Sequence, residues 1–274
     1  MTRPALPVTL DWLAAGERRL ARLVDRLTDH EAAEPSLLPG WTRAQLVTHL
    51  ARNADALVNL LNWANTGVPT PMYRSAEHRA ADIAAGAGRP AAAVRADLAA
   101  AAERLATTAA ELPEPAWRAV VRTGHGREIT ADQVPWLRVR EIWVHAADLG
   151  LGATLADLPS GLTDALLDEV AATFTSRGTD FTVRLRDPQR SRSWHVGQVS
   201  SMSVTAGHGD RGTWSANGAG AAPGAGAPPG TGPGRPVEVS GTGPELLGWL
   251  IGRAPIGRLT VSPAGAVPAP PPWI

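Results

Sequence analysis

The chain has 274 residues, 44% of them hydrophobic, with 26 acidic and 26 basic side chains. Its zero net charge gives no reason to expect a nucleic-acid partner, and no apolar run is long enough to cross a membrane. Cysteine is absent, which excludes disulfides, thiolate ligands and thiol nucleophiles supplied by the chain itself. The amphipathic start of the sequence predicts no signal peptide, so a cytoplasmic location is expected.

The first part of the chain has the three-to-four-residue apolar spacing of amphipathic helices. A first helix is predicted from Leu10 to Leu27. A second helix begins at Thr42, which forms a capping-box pattern with Gln45, and runs to about Asn65.

Further helices are predicted over residues 90–112, 130–149 and 160–176. Gly150 ends the second of these. Four long helices with substantial connections predict an antiparallel four-helix bundle over residues 1–155.

Beyond residue 179 the apolar residues alternate, which is typical of strands. The predicted strands are FTVRLR, SWHVGQV, MSVTA, PVEVSG and RLTVS, with a short helix over GPELLGWLIGRA. Residues 217–236 are rich in Gly, Ala and Pro and are interpreted as a hairpin insertion. We therefore predict an α+β protein in which the bundle is followed by a small α/β domain over residues 156–274.

Glu141 and His145 lie four residues apart in the helix predicted over 130–149 and so share one face. Val134 and Val144 direct this face toward the core, and a buried carboxylate needs a partner. A carboxylate and an imidazole at this spacing can bind one divalent metal. An isolated pair of this kind is usually a solvated surface feature, so the hypothesis depends on a second helix.

His49 lies in the apolar stripe of the second predicted helix, where a lone histidine is usually a satisfied core residue. Together with Glu141 and His145 it offers two imidazoles and one carboxylate. Three protein ligands leave a fourth position open, as in catalytic zinc sites, although these donors also suit iron, nickel or cobalt. Asp148 is predicted either to orient a ligand histidine or to be a helix-end carboxylate.

Three stretches resemble the mycothiol-dependent maleylpyruvate isomerases of the DinB-like helical-bundle superfamily: LPGWTRAQLVTHLARNADAL, PMYRSAEHRAADI and VPWLRVREIWVHAADLG. GTGPELLGWLIGRA resembles the C-terminal segment of that family, which folds like a small sterol-carrier domain. The resemblance covers most of the chain and places the three zinc ligands of the family on His49, Glu141 and His145. The Gly/Ala/Pro-rich stretch departs from the pattern of the family.

The resemblance implies a cis-trans isomerase that converts maleylpyruvate to fumarylpyruvate with zinc and mycothiol as cofactors. Zinc lowers the pKa of a bound thiol. The thiolate would add to the cis double bond, permit rotation, and leave again. A chain without cysteine must obtain this nucleophile from outside, so the expected partners are a low-molecular-weight thiol and an electrophilic small molecule.

The two carboxylates of such a substrate need cationic partners, and arginine binds carboxylates bidentately. Arg253, in the G-R of the C-terminal helix, is predicted to be the catalytic residue that reaches over the zinc and binds substrate or stabilises an enolate. Its alternative role is an interdomain ion pair. Arg79, in the loop expected after the second helix, and Tyr73 are predicted to line the substrate pocket.

Two other functions stay open at this point. A mycothiol S-transferase would share the first step with the isomerase, so the motifs do not separate the two. A non-enzymatic, metal-stabilised binding module is the third interpretation. The oligomeric state is not predicted.

Overall fold

The computed structural model describes residues 3–178, 181–197, 237–253 and 258–273. The helices are α1 (Leu6–Val24), α2 (Asp29–Ala33), α3 (Arg43–Thr66), α4 (Ala76–Ala87), α5 (Ala91–Glu111), α6 (Val134–Asp148), α7 (Ser160–Ser176) and α8 (Gly243–Leu250). The strands are β1 (Val120–Arg122), β2 (Glu128–Thr130), β3 (Val183–Asp187), β4 (Arg192–Val196), β5 (Val237–Ser240) and β6 (Thr260–Ser262). Among these helices, none is both long and apolar enough to span a membrane.

The four long predicted helices correspond to α1, α3, α5 and α6, which confirms the helical bundle. Helix α3 lies at its centre and packs against α4, α5 and α6. Its start is fixed by the predicted capping box, in which Thr42 and Gln45 each bond the backbone of the other. Its end is fixed by Gly67, whose left-handed φ of 73° closes the helix.

Helices α1 and α6 approach each other closely because Gly16 has no side chain at their crossing. A Cβ atom on Gly16 would lie 2.5 Å from Ile142 Cδ1 and 2.6 Å from Trp143 Nε1. This contact fixes the position of α6, which carries two of the three predicted metal ligands.

The region after α3 differs from the prediction. Arg79 was expected in a loop, but it lies in α4, whose first turn is capped by Ser75. The sequence did not indicate this helix because it is alanine-rich and buries only Ile83 and Gly86. The expected loop is therefore confined to residues 67–75.

The predicted helix over 130–149 also begins later than expected. Thr130 does not cap it but ends strand β2, and a 3-10 turn over Ala131–Gln133 leads into α6 at Val134. Strands β1 and β2 form an antiparallel hairpin. With three residues each, they are too short to show the alternation of a strand. The end of α6 is as predicted, with Gly150 in a left-handed conformation.

The described residues of the C-terminal part form a four-stranded sheet in the order β4-β3-β5-β6. Among the described strand pairs of this sheet, only β3–β5 is parallel, which agrees with the predicted mostly antiparallel sheet. The predicted strand MSVTA and the insertion at 217–236 lie outside the described residues. The α+β class is confirmed, whereas the division at residue 155 stays a prediction.

Trp273 connects the last described residues to helix α6. Arg177 donates to the carbonyl groups of Pro272 and Trp273, each at 2.7 Å. The Trp273 ring is buried, and its centroid lies 5.8 Å from the guanidinium carbon of Arg140. Arg140 directly precedes the predicted ligand Glu141, so this contact stabilises the middle of α6.

Candidate metal centre

The structure brings the three predicted ligands together from two helices, His49 from α3 and Glu141 and His145 from α6. One possible ligand atom of each lies within 4.8 Å of the others. His49 Nε2 and His145 Nε2 lie 3.0 and 3.4 Å from the same oxygen, Glu141 Oε2. The two imidazole rings are nearly perpendicular, with centroids 5.2 Å apart.

The cluster is largely buried but remains reachable. His49 is only 6% exposed, and the side chains of Glu141 and His145 are 21% and 14% exposed. Two imidazole nitrogens and one carboxylate oxygen this close together fit a divalent transition metal, and three protein ligands would leave a further coordination position open.

Asp148 occupies the position that a histidine-orienting carboxylate needs. It is 2% exposed, and its Oδ2 atom lies 2.8 Å from His145 Nδ1. A histidine that donates from Nδ1 presents the lone pair of Nε2 to a metal. Of the two roles predicted for Asp148, the contact therefore supports the one in which Asp148 orients a ligand histidine.

The electrostatics of the cluster favour a charged carboxylate. Burial would raise the pKa of Glu141, but hydrogen bonds and positive charge from His145 and His49 hold that pKa well below its ordinary value. Burial lowers the pKa of His49. Burial also opposes protonation of His145, but Asp148 and Glu141 outweigh it and raise the pKa of His145 to about 9. A metal that binds His145 at neutral pH therefore displaces a proton.

Arg253 does not lie directly on the predicted ligands. Its Nε and Nη2 atoms donate to the two carboxylate oxygens of Asp148, both at 3.3 Å. Its Nη1 atom donates to the Ile251 carbonyl at 2.7 Å. Arg253 is thus separated from His145 by one carboxylate, in an ion pair between the C-terminal segment and the bundle.

Arg79 lies beside His49, and Tyr73 lies beside Arg79. Arg79 Nη2 is 3.0 Å from His49 Nδ1, and its guanidinium carbon lies 5.4 Å from the centroid of the Tyr73 ring. Burial raises the pKa of Tyr73, although Arg79 partly offsets this effect. Met72, the residue before Tyr73, accepts a hydrogen bond at its Sδ atom from the Gly124 amide of the β1–β2 turn at 3.1 Å.

Trp41 is a neighbour of the cluster that sequence reasoning missed. Its ring centroid lies 5.8 Å from that of His49, with an interplanar angle of 71°. Trp41 lies just before Thr42, the capping residue of α3. The direction of a side chain in a loop is not given by helical or strand periodicity, so no pattern indicated the contact.

Arg138 supports the cluster from inside the bundle. It is fully buried, and its Nε atom donates to Glu17 on α1 at 2.8 Å. Its Nη1 atom donates to the Leu50 carbonyl at 2.6 Å and to Asn53 Oδ1 at 3.1 Å. Because Arg138 lies one turn before Glu141, these bonds tie the ligand-bearing parts of α3 and α6 together.

The comparisons with known proteins agree with this architecture. Residues 13–150 match the model of the mycothiol maleylpyruvate isomerase N-terminal domain. Two solved structures match along the whole length: the crystal structure of the mycothiol-dependent maleylpyruvate isomerase, and that of a mutant in which a histidine is replaced by alanine. Each is 32% identical, covers 100% of both chains and has a TM-score of 0.81. No curated protein sequence matches significantly.

The fold and the cluster thus define a helical-bundle protein with a candidate metal centre and a C-terminal sheet. The chain belongs to the mycothiol-dependent maleylpyruvate isomerase family, as the resemblance of its motifs predicted.

Proposed function

We propose that this protein isomerises maleylpyruvate to fumarylpyruvate with mycothiol as its thiol cofactor and one divalent metal ion, most suitably zinc. The proposal is carried by the convergence of His49, Glu141 and His145 within 4.8 Å, in a chain that matches the mycothiol-dependent maleylpyruvate isomerase over its full length. Three such ligands leave a coordination position for an external group. The chain has no cysteine, so the thiol must come from outside.

In this proposal His49, Glu141 and His145 hold the metal, which when bound lowers the pKa of a thiol and so makes thiolate available at neutral pH. Asp148 holds the Nδ1 proton of His145 and keeps Nε2 directed at the centre. Arg138, one turn before Glu141, fixes the separation of the two helices.

The substrate is a dianion and requires positive charge. We assign to Arg79, which lies beside both His49 and Tyr73, the bidentate binding of one carboxylate. We assign to Arg253, which is separated from His145 by the Asp148 carboxylate, the stabilisation of the enolate that thiol addition generates. With the proposed domain division at residue 155, the site takes residues from both domains.

The overall reaction returns the thiol unchanged, because addition to the cis double bond, rotation about the resulting single bond and elimination consume no reagent. The test is an absorbance assay on metal-analysed protein with mycothiol, glutathione or no thiol. We expect conversion of maleylpyruvate to fumarylpyruvate only with mycothiol, without loss of titratable thiol. Replacement of His49 by alanine should abolish both the bound metal and the conversion.

Other results would identify one of the alternatives. Consumption of one thiol per product molecule would overturn the isomerase proposal in favour of a mycothiol S-transferase. Protein that holds no metal, and whose properties do not change in His49→Ala, would overturn both enzymatic functions.

A further inference from the structure

The loop formed by residues 36–41, which we call the 36–41 loop, leads into helix α3 beside the candidate metal centre. Its sequence, SLLPGW, contains no charged residue. Trp41 at its end contacts the His49 ring, with centroids 5.8 Å apart. Leu37 is 69% exposed, the highest value among the exposed large hydrophobic side chains of the described residues.

The exposed position of Leu37 is fixed by hydrogen bonds. The Ser36 amide donates to the Trp41 carbonyl at 2.8 Å, and the Leu37 amide donates to the Asp148 carbonyl at 2.7 Å. Arg43 Nε donates to the Leu149 carbonyl at 2.9 Å. The loop is therefore closed on itself and tied to the end of α6, with Leu37 exposed and Trp41 partly exposed beside His49.

Two arginines lie near the centre outside the 36–41 loop. Arg79 lies 3.0 Å from His49, and Arg253 pairs with Asp148. The centre thus has cationic side chains at some of its borders and an uncharged, apolar surface at the 36–41 loop. The cationic borders suit an anionic reactant, and the uncharged loop suits a neutral one.

We propose that the 36–41 loop binds the body of the thiol cofactor, with Leu37 and Trp41 as its main contacts, and that the dicarboxylate binds on the Arg79 side. The identity of the thiol rests on the proposed function. Mycothiol is an N-acetylcysteine linked to sugars, so apart from its thiol it is uncharged. The flat apolar faces and the single N–H donor of tryptophan suit such a body.

Glutathione has the opposite character, since it carries two carboxylates and an ammonium group. Transfer of these charges from water to an uncharged apolar surface is unfavourable. The 36–41 loop therefore also selects between thiols, favouring the neutral one.

The test measures mycothiol binding by calorimetry on the metal-loaded protein, so that it does not depend on turnover. Leu37→Asp and Trp41→Phe are compared with wild type and with Val68→Asp, a control that is similarly exposed at 63% but lies beyond the opposite end of α3. We expect the mycothiol Kd to rise about fivefold or more in Leu37→Asp and about threefold in Trp41→Phe. Val68→Asp should bind like wild type.

Steady-state kinetics supply the second readout. The KM for mycothiol should rise in both loop variants, whereas the KM for maleylpyruvate should stay within about twofold of wild type. An equal rise of both KM values would indicate a general structural effect and overturn the assignment. Unchanged mycothiol affinity in both variants, or equal wild-type affinity for glutathione, would also overturn it.

The two proposals fail in different ways. Wild-type protein that binds mycothiol through the loop but does not isomerise maleylpyruvate would overturn the proposed function and leave the loop assignment standing. Wild-type protein that binds no mycothiol would overturn the loop assignment directly.

Discussion

Arg253 donates to both carboxylate oxygens of Asp148, and the same carboxylate lies 2.8 Å from His145 Nδ1. Asp148 is almost completely buried, and a buried carboxylate is tolerated only when it is well paired. Here one partner comes from α6 and the other from a segment 105 residues away in sequence. The orientation of a candidate metal ligand therefore depends on both halves of the chain.

Replacement of Asp148 by asparagine should weaken metal binding. The substitution keeps the shape of the side chain but removes the charge that orients His145, and loss of such a partner typically costs about 10- to 100-fold in metal affinity. Competition with a chromogenic chelator would measure the change. Asp11→Asn, at an exposed position on α1, is the matched control. Equal affinity in Asp148→Asn and wild type would contradict the orienting role.

Replacement of Arg253 by glutamine should lower kcat/KM for the isomerisation by about 100-fold, because a cation is lost from the site of developing negative charge. Metal affinity should fall less, by about tenfold at most, since Asp148 keeps its contact with His145. Assays on protein of known metal content separate these effects. A fall in activity fully explained by lost metal would leave Arg253 with only the ion-pair role.

The stability of the metal-free protein should decrease as the pH rises from 6.5 to about 9. The pKa of His145 is raised from its ordinary value of 6.5 to about 9, so the folded state binds this proton more tightly than the unfolded state. The resulting stabilisation is complete below pH 6.5 and is lost as the pH rises through the folded pKa. Thermal melting across this range would show it, and His145→Gln should give a flatter profile.

Metal affinity, unlike the stability of the metal-free protein, should increase as the pH rises. Because His145 must lose a proton to bind a metal, the apparent Kd should fall about tenfold per pH unit below the pKa of His145. Chelator competition at several pH values would measure the slope. A Kd independent of pH between 6.5 and 8.5 would show that His145 is not protonated in the metal-free protein.

Replacement of Glu17 by alanine should destabilise the fold by about 3 kcal/mol, because it leaves the buried guanidinium of Arg138 without its carboxylate. The double variant Glu17→Ala/Arg138→Met should be less destabilised than Glu17→Ala alone, since no unpaired charge remains. Denaturant unfolding monitored by circular dichroism would test both. A double variant less stable than the single one would contradict this explanation.

Replacement of Gly16 by alanine should destabilise the protein by about 1–3 kcal/mol, since the new methyl group would overlap Ile142 and Trp143. Gly88→Ala is the control, because its Cβ would have no neighbour closer than 3.7 Å and its φ is an ordinary helical −75°. Chemical denaturation of both variants would measure the difference. Equal stability of Gly16→Ala and Gly88→Ala would show that α1 and α6 can move apart without loss of folding free energy.

The features predicted correctly from the sequence are those with local causes. The capping box of Thr42 and Gln45 fixed the start of α3, and the left-handed glycine at 150 marked the end of α6. The four-residue spacing of Glu141 and His145 placed both on one face before the fold was known. His49 was grouped with Glu141 and His145 because it lies in the apolar stripe of its own helix, which packs into the same core.

The features that were missed depend on tertiary contacts. Helix α4 has little apolar patterning, so its position beside α3 could not be deduced from periodicity. The contact of Trp41 with His49 depends on the path of a loop. The pairing of Arg253 with Asp148 depends on how the C-terminal segment docks on the bundle. Sequence reasoning thus identified Arg253 but not the side chain that it meets.

The packing of Trp273 on Arg140 has a consequence for how the protein is made. During translation, helix α6 leaves the ribosome with Glu141 and His145 long before Trp273 is synthesised. Until then Arg140 lacks its aromatic neighbour, and Asp148 lacks Arg253. The contacts that the C-terminal part makes with Arg140 and Asp148 therefore form only after Arg253 and Trp273 have been synthesised.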